Sequence, residues 1–152
     1  MPVYVKYNLK ELNYILHNSF EEIKNYEQVV YINYSYNQFT SLPKFPNSLQ
    51  ILYCVANKLT VLPELPNSLQ ELYCGHNQLT SLPELPNSLQ ELSCAENQLT
   101  KLPELPNSLR ELSCGKNQLT SLPELPKSLK ELKCNNNKFI KNLKYKYLKN
   151  II

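Results

Sequence analysis

The chain of 152 residues contains no aspartate and no tryptophan, one methionine, two histidines and two glycines. With only Gly75 and Gly115 available, a glycine-rich phosphate-binding loop is excluded. No run of about 18 apolar residues occurs, so no membrane-spanning helix is expected. The opening stretch MPVYVKYNLK has neither an apolar core of secretory-signal length nor a small-residue cleavage site. A soluble, cytoplasmic protein is the expectation. A generally basic surface is also lacking, although the net charge is +3. Residues 1–126 hold eight Lys or Arg against twelve Glu, a net of −4, whereas residues 127–152 hold eight Lys against Glu131 alone, a net of +7. The positive charge is a C-terminal feature, and specific nucleic-acid binding is not expected.

What is present is one sentence written repeatedly. LPELPNSLQELYCGHNQLTS is followed by LPELPNSLQELSCAENQLTK and LPELPNSLRELSCGKNQLTS. The frame Leu-x-x-Leu-x-Cys-x-x-Asn-x-Leu starts at Leu49, Leu69, Leu89, Leu109 and Leu129. A degenerate copy starts at Val29, with Ile32, Tyr34, Asn37 and Phe39 in the matching slots, making six copies at a spacing of twenty over residues 29–139. Leu72 and Cys74 are two apart, so on a strand they share a face, while Glu71, Tyr73 and Gly75 take the other. Pro63 and Pro66 forbid a helix interior and favour an extended return. Twenty residues leave no room for a full crossover helix, and one unit cannot bury its own leucines, so the units must stack. Six strands at about 4.8 Å make a parallel sheet roughly 29 Å long.

These residues resemble leucine-rich repeats of the shortest kind. The pattern LPxLPxxLxxLxxxxNxL is similar to that of bacterial type III secreted effectors and of repeat proteins encoded by amoeba-infecting giant viruses. The resemblance implies a right-handed, curved leucine-rich repeat solenoid, with the parallel β-sheet on its concave face and extended, proline-containing segments on its convex face. It also implies that Asn37, Asn57, Asn77, Asn97, Asn117 and Asn137 point into the turn after each strand and bond neighbouring backbone groups. Cysteine at the sixth position departs from the usual aliphatic residue. Too few residues follow the repeats for the ubiquitin-ligase domain of some such effectors, so that activity is not expected here.

Cys54, Cys74, Cys94, Cys114 and Cys134 are spread one per strand. A metal site needs thiolates converging on one point, disulfides need paired neighbours, and catalysis needs an exposed thiolate of low pKa beside a base. A ladder of small buried hydrophobes meets none of these conditions. No metal, cofactor or catalytic residue is expected, and a reducing compartment follows.

The letters change mainly at the fifth, seventh and eighth positions of the repeat: Tyr73-Gly75-His76, Ser93-Ala95-Glu96, Ser113-Gly115-Lys116. The fifth and seventh are expected to line the concave face and the eighth its rim, which is where a recognition surface would vary. Tyr31, Asn33, Tyr36, Ile51, Tyr53, Val55 and Tyr73 form an aromatic and aliphatic patch in the N-terminal half, with His76 at the rim. Glu71, Glu91, Glu111 and Glu131 follow as a row of like charge.

Both ends are expected to be caps. Leu9, Leu12, Leu16 and Phe20 fall near helical spacing, and Ser19 with Glu22 fits a capping box. Two short helices, near 9–17 and 20–26, are predicted within an N-terminal cap of residues 1–28, with a short strand over 2–7. The basic segment 140–152 fits a helix through Ile140, Leu143, Tyr147 and Ile151, and a strand through the alternation of 143–147. The expected function is non-catalytic protein–protein recognition, with a host protein as the partner that the resemblance suggests and the host-cell cytoplasm as the matching location. Self-assembly into a homo-oligomer is the second reading, and a cysteine-dependent enzyme the third.

Overall fold

The computed structural model describes residues 2–10, 15–17 and 22–138. Its centre is an eight-stranded sheet. Six short parallel strands, one per repeat, run in chain order: β3 (Tyr31–Asn33), β4 (Ile51–Tyr53), β5 (Glu71–Tyr73), β6 (Glu91–Ser93), β7 (Glu111–Ser113) and β8 (Glu131–Lys133). Each pairs with the strand twenty residues on, so identical repeat positions lie side by side. Glu-Leu-Ser is a poor strand sequence by propensity, and stacking makes it one here. The middle residues, Ile32, Leu52, Leu72, Leu92, Leu112 and Leu132, all point into the core. Cys54, Cys74, Cys94 and Cys114 join them with no exposed surface, as do Leu49, Leu69, Leu89 and Leu109.

The ladder asparagines bind the repeats together. Asn77 donates through Nδ2 to the carbonyls of Cys74 and Gly75 in its own repeat, at 3.1 Å each, and to Cys54 in the preceding repeat at 2.9 Å. Its Oδ1 accepts the backbone N–H of Leu59 at 3.0 Å. Asn57, Asn97, Asn117 and Asn137 repeat this arrangement. A second ladder was not read in the sequence: Ser48, Ser68, Ser88, Ser108 and Ser128 donate their hydroxyls to the carbonyls of Val29, Leu49, Leu69, Leu89 and Leu109. The returns between strands are extended, and a tight turn closes each one, as where the Leu69 N–H donates to the Pro66 carbonyl.

The N-terminal cap differs from the expected helices. Strand β1 (Val3–Lys6) matches the expected strand, but Ile15–His17 form a strand, β2, where a helix over 9–17 was predicted. β1 runs antiparallel to both β2 and β3. The reason is edge pairing: β1 covers the open edge of β3 and buries Val3 and Val5, and the outer edge of β1 then needs partners of its own, which Ile15–His17 supply as a strand. The Pro2 carbonyl accepts the amide of Asn37, as a preceding repeat would. Within the described part of the second predicted helix, residues 22–26 carry no α-helix, and a 3-10 turn follows at Tyr26–Gln28. Ser19 and Phe20, and the segment 140–152, lie outside the described residues. Among the described residues no helix is long and apolar enough to cross a membrane.

Asn97→Ala removes every bond of one ladder amide inside the stack. Unfolding in urea should show a loss of about 3 kcal/mol, since several buried backbone groups are left without partners. Asn137→Ala, at a half-exposed site, should cost clearly less.

Candidate protein-binding face

Two registered rows of side chains occupy the sheet face opposite the core. One reads Lys6, Tyr31, Ile51, Glu71, Glu91, Glu111, Glu131. The other reads Leu16, Tyr4, Asn33, Tyr53, Tyr73, Ser93, Ser113, Lys133. The face thus passes from aromatic and aliphatic to acidic along its length. Tyr4 and Leu16, both exposed, extend the apolar half and were missed because they were assigned to the cap. The alternation of Val3, Tyr4, Val5 and Lys6 was the available signal.

The expected patch residues are not equally open. Tyr31 is 8% exposed. It lies beside Tyr53, with ring centroids 5.7 Å apart, and beneath the Lys6 ammonium at 5.9 Å. It therefore supports the surface and offers little of its own. Asn33, Ile51, Tyr53 and Tyr73 are half-buried. Tyr53 and Tyr73 stack with centroids 4.3 Å apart and planes 12° apart. The Tyr73 hydroxyl lies 3.3 Å from a Glu71 carboxylate oxygen and donates a short hydrogen bond to Glu91. Burial, then the neighbouring charge of Glu91, pushes the Glu71 carboxyl above its ordinary range. Burial and the bond to Glu91 push the Tyr73 phenol up as well.

The seventh and eighth positions behave differently from the strand positions. The seventh lies beyond the strand; Gly75 and Gly115 are buried there, while Val55 and Ala95 are half-buried. A side chain on Gly75 would begin 3.0 Å from the Ala95 carbonyl oxygen, so packing as well as exposure restricts this position. The eighth position is left-handed in every repeat: Tyr36, Ala56, His76, Glu96, Lys116 and Asn136 have φ between 52° and 58°. That turn throws their side chains onto the rim. Tyr36 is 83% exposed. His76 Nδ1 lies 3.0 Å from Glu96, whose other carboxylate oxygen lies 2.7 Å from Lys116 Nζ. The hydrogen bond from Lys116 holds the Glu96 carboxyl below its ordinary range. His76 is therefore engaged within the rim.

Grooves of about 650, 790 and 530 Å³ on the proline side exceed a cavity of about 230 Å³ on the open face. The proline-side grooves recur with nearly the same Pro, Glu, Leu and Asn lining, as the period dictates. The open-face cavity is where the repeats differ. The four interior thiols are poor nucleophiles: burial pushes Cys54 and Cys114 up to about 12 and Cys74 and Cys94 well above their ordinary value, while Cys134 is half-exposed. Among the described residues no group of His, Cys or Glu is arranged to hold a metal ion.

A sheet of stacked short strands with proline-rich returns is a repeat solenoid. The family model described as "Leucine Rich repeats (2 copies)" matches residues 47–87, 67–107 and 87–127, together more than half of the chain. The chain belongs to the leucine-rich repeat family. Among solved structures it is similar to YopM from Yersinia enterocolitica, at 36% identity over 76% of this chain and 26% of that one, with a TM-score of 0.75. It is similar to the leucine-rich repeat domain of a Shigella effector, at 38% identity over 78% and 54%, with a TM-score of 0.74. It also resembles the leucine-rich effector YopM from Yersinia pestis, at 35% identity over 71% and 37%, with a TM-score of 0.60. The chain spans about a quarter to a half of the length of these proteins. No curated protein sequence matches it.

Two outcomes follow from the site chemistry. In native protein at pH 8, half-exposed Cys134 should alkylate first, with Cys54, Cys74, Cys94 and Cys114 reacting only on unfolding. A fast-reacting thiol among those four would restore the enzymatic reading. The raised pKa of Glu71 favours folding fully below the unfolded-state value, and that contribution is lost as pH rises through the folded value. Glu71→Gln should therefore stabilise at pH 7, by less than about 1 kcal/mol after solvent screening, and make no difference near pH 3.5. Urea midpoints at the two pH values measure this.

Proposed function

We propose that this chain is a non-catalytic recognition module that binds a protein partner on the open face of its sheet. The carrying observation is the contrast between a near-invariant stack and a face that changes from stacked tyrosines to carboxylates. Ile51, Tyr53 and Tyr73, with Tyr4 and Leu16 beside them, supply rigid apolar area at low entropic cost. Asn33, Val55, Tyr36 and His76 frame this area, and Glu71, Glu91 and Glu111 add charge. The similarity to bacterial effector repeats supports a partner in a host cell and action in its cytoplasm. The raised thiol pKa values weigh against an enzyme that uses a cysteine nucleophile.

Affinity capture from host-cell lysate tests this, comparing wild type with the Tyr53→Ala/Tyr73→Ala double variant. A specific partner is expected with wild type and at least tenfold less of it with the variant. Equal capture, together with loss in Glu91→Lys, would move the interface to the acidic half. If neither sample captures a partner and the molar mass rises with concentration, self-assembly replaces this reading.

A further inference from the structure

The tyrosine stack stops in the middle of the face, and what lies beyond it is shaped. Tyr53 covers one side of the Tyr73 ring at 4.3 Å. The next slots in the same row are Ser93 and Ser113, too small to continue the stack, and the row resumes with Lys133. The gap is the 230 Å³ cavity, bordered by Tyr73, Glu91, Ser93, Glu111, Ser113 and Glu131, with Lys133 closing its far end. From Tyr73 to Lys133 is three strand spacings, about 14 Å. One wall is aromatic, the floor is two hydroxyls, and one side is a row of carboxylates about 4.8 Å apart.

The charge in this slot is uneven. Lys133 pairs with Glu131 at 2.5 Å. Glu91 accepts the Tyr73 hydroxyl. Glu111 forms no ion pair among the described residues and is exposed. Lys133 also attracts Glu111 but forms no ion pair with it, so Glu91 and Glu111 are only partly compensated beside an aromatic face.

The geometry points to a subsite for an arginine side chain of the protein partner, seated between Tyr73 and Lys133. This rests on the open face being the binding face. A planar guanidinium continues the stack begun by Tyr53 and Tyr73 and presents its fork of N–H donors to neighbouring carboxylates. An ammonium gains the charge but neither the stacking nor the fork. The chain's own segment 139–152 carries lysines and no arginine, so it is a poor occupant by the same criterion.

The test is an NMR titration of the full chain with acetyl-Gly-Arg-Gly-amide and with its lysine counterpart, following the Tyr73 ring and the Ser93 and Ser113 amides. The arginine peptide is expected to shift these signals with a Kd of about 1 mM, and the lysine peptide to bind at least about fivefold more weakly. Ser93→Tyr places in the slot the residue that the preceding repeat already carries there, so the fold tolerates it, and the response should vanish. Glu111→Gln should weaken it severalfold. Equal shifts with both peptides, no shift at Tyr73, or an undiminished response in Ser93→Tyr would overturn the subsite. A partner lost in the Tyr53/Tyr73 variant but retained by Ser93→Tyr would leave the binding face standing while removing the arginine site.

Discussion

The asparagine amide is the interaction on which the rest depends. Each interior ladder side chain donates to carbonyls of two repeats and accepts an N–H from the earlier one, so it joins neighbours at a single relative height. A one-residue slip would leave buried donors and acceptors unpaired. Because the amides hold the register, Leu meets Leu in the core and the exposed rows align without any contribution from their own side chains. The protein can then hold four glutamates side by side, an arrangement that like-charge repulsion alone would disfavour.

Legibility in the sequence followed the period. The core slots and the parallel strands were readable because six copies agree on them, whereas the turn-facing role of the asparagines came from the resemblance to leucine-rich repeats. The helix near 9–17 was misread because Leu9, Leu12 and Leu16 sit at helical spacing, while the outer edge of β1 demanded a strand at Ile15–His17. That demand comes from distant backbone, which local periodicity does not carry. Burial of Tyr31 was hidden for the same reason, since Lys6 and the edge of the cap lie over it only in three dimensions. The serine ladder was in plain view at a fixed position, but Ser in a turn sequence carries no mark of its acceptor. The left-handed eighth position was not legible: of its six occupants, Asn136 is the clearest of the types that favour such a turn.

The candidate face was legible as a list of outward positions and not as a surface. Alternation placed Tyr53, Tyr73, Glu71, Glu91 and Glu111 on one side. It did not show that two tyrosines stack, that the second bonds to a carboxylate, or that serines leave a cavity beside it. Those features arise from side chains on different repeats meeting across the strand spacing. Repeat uniformity makes the stack, and departures from uniformity make the candidate site: Tyr to Ser at the fifth position opens the slot, and Ile to Glu at the third position charges it.

The central claim is that partners engage the open sheet face and not the proline side. A photoreactive residue placed at Ser113, on the open face, or at Glu84, among the proline-side grooves, tests it most directly in host-cell lysate. The account requires a discrete adduct from position 113, suppressed when the Tyr53/Tyr73 substitutions are added, and none from position 84. An adduct from position 84 with none from position 113 would contradict it.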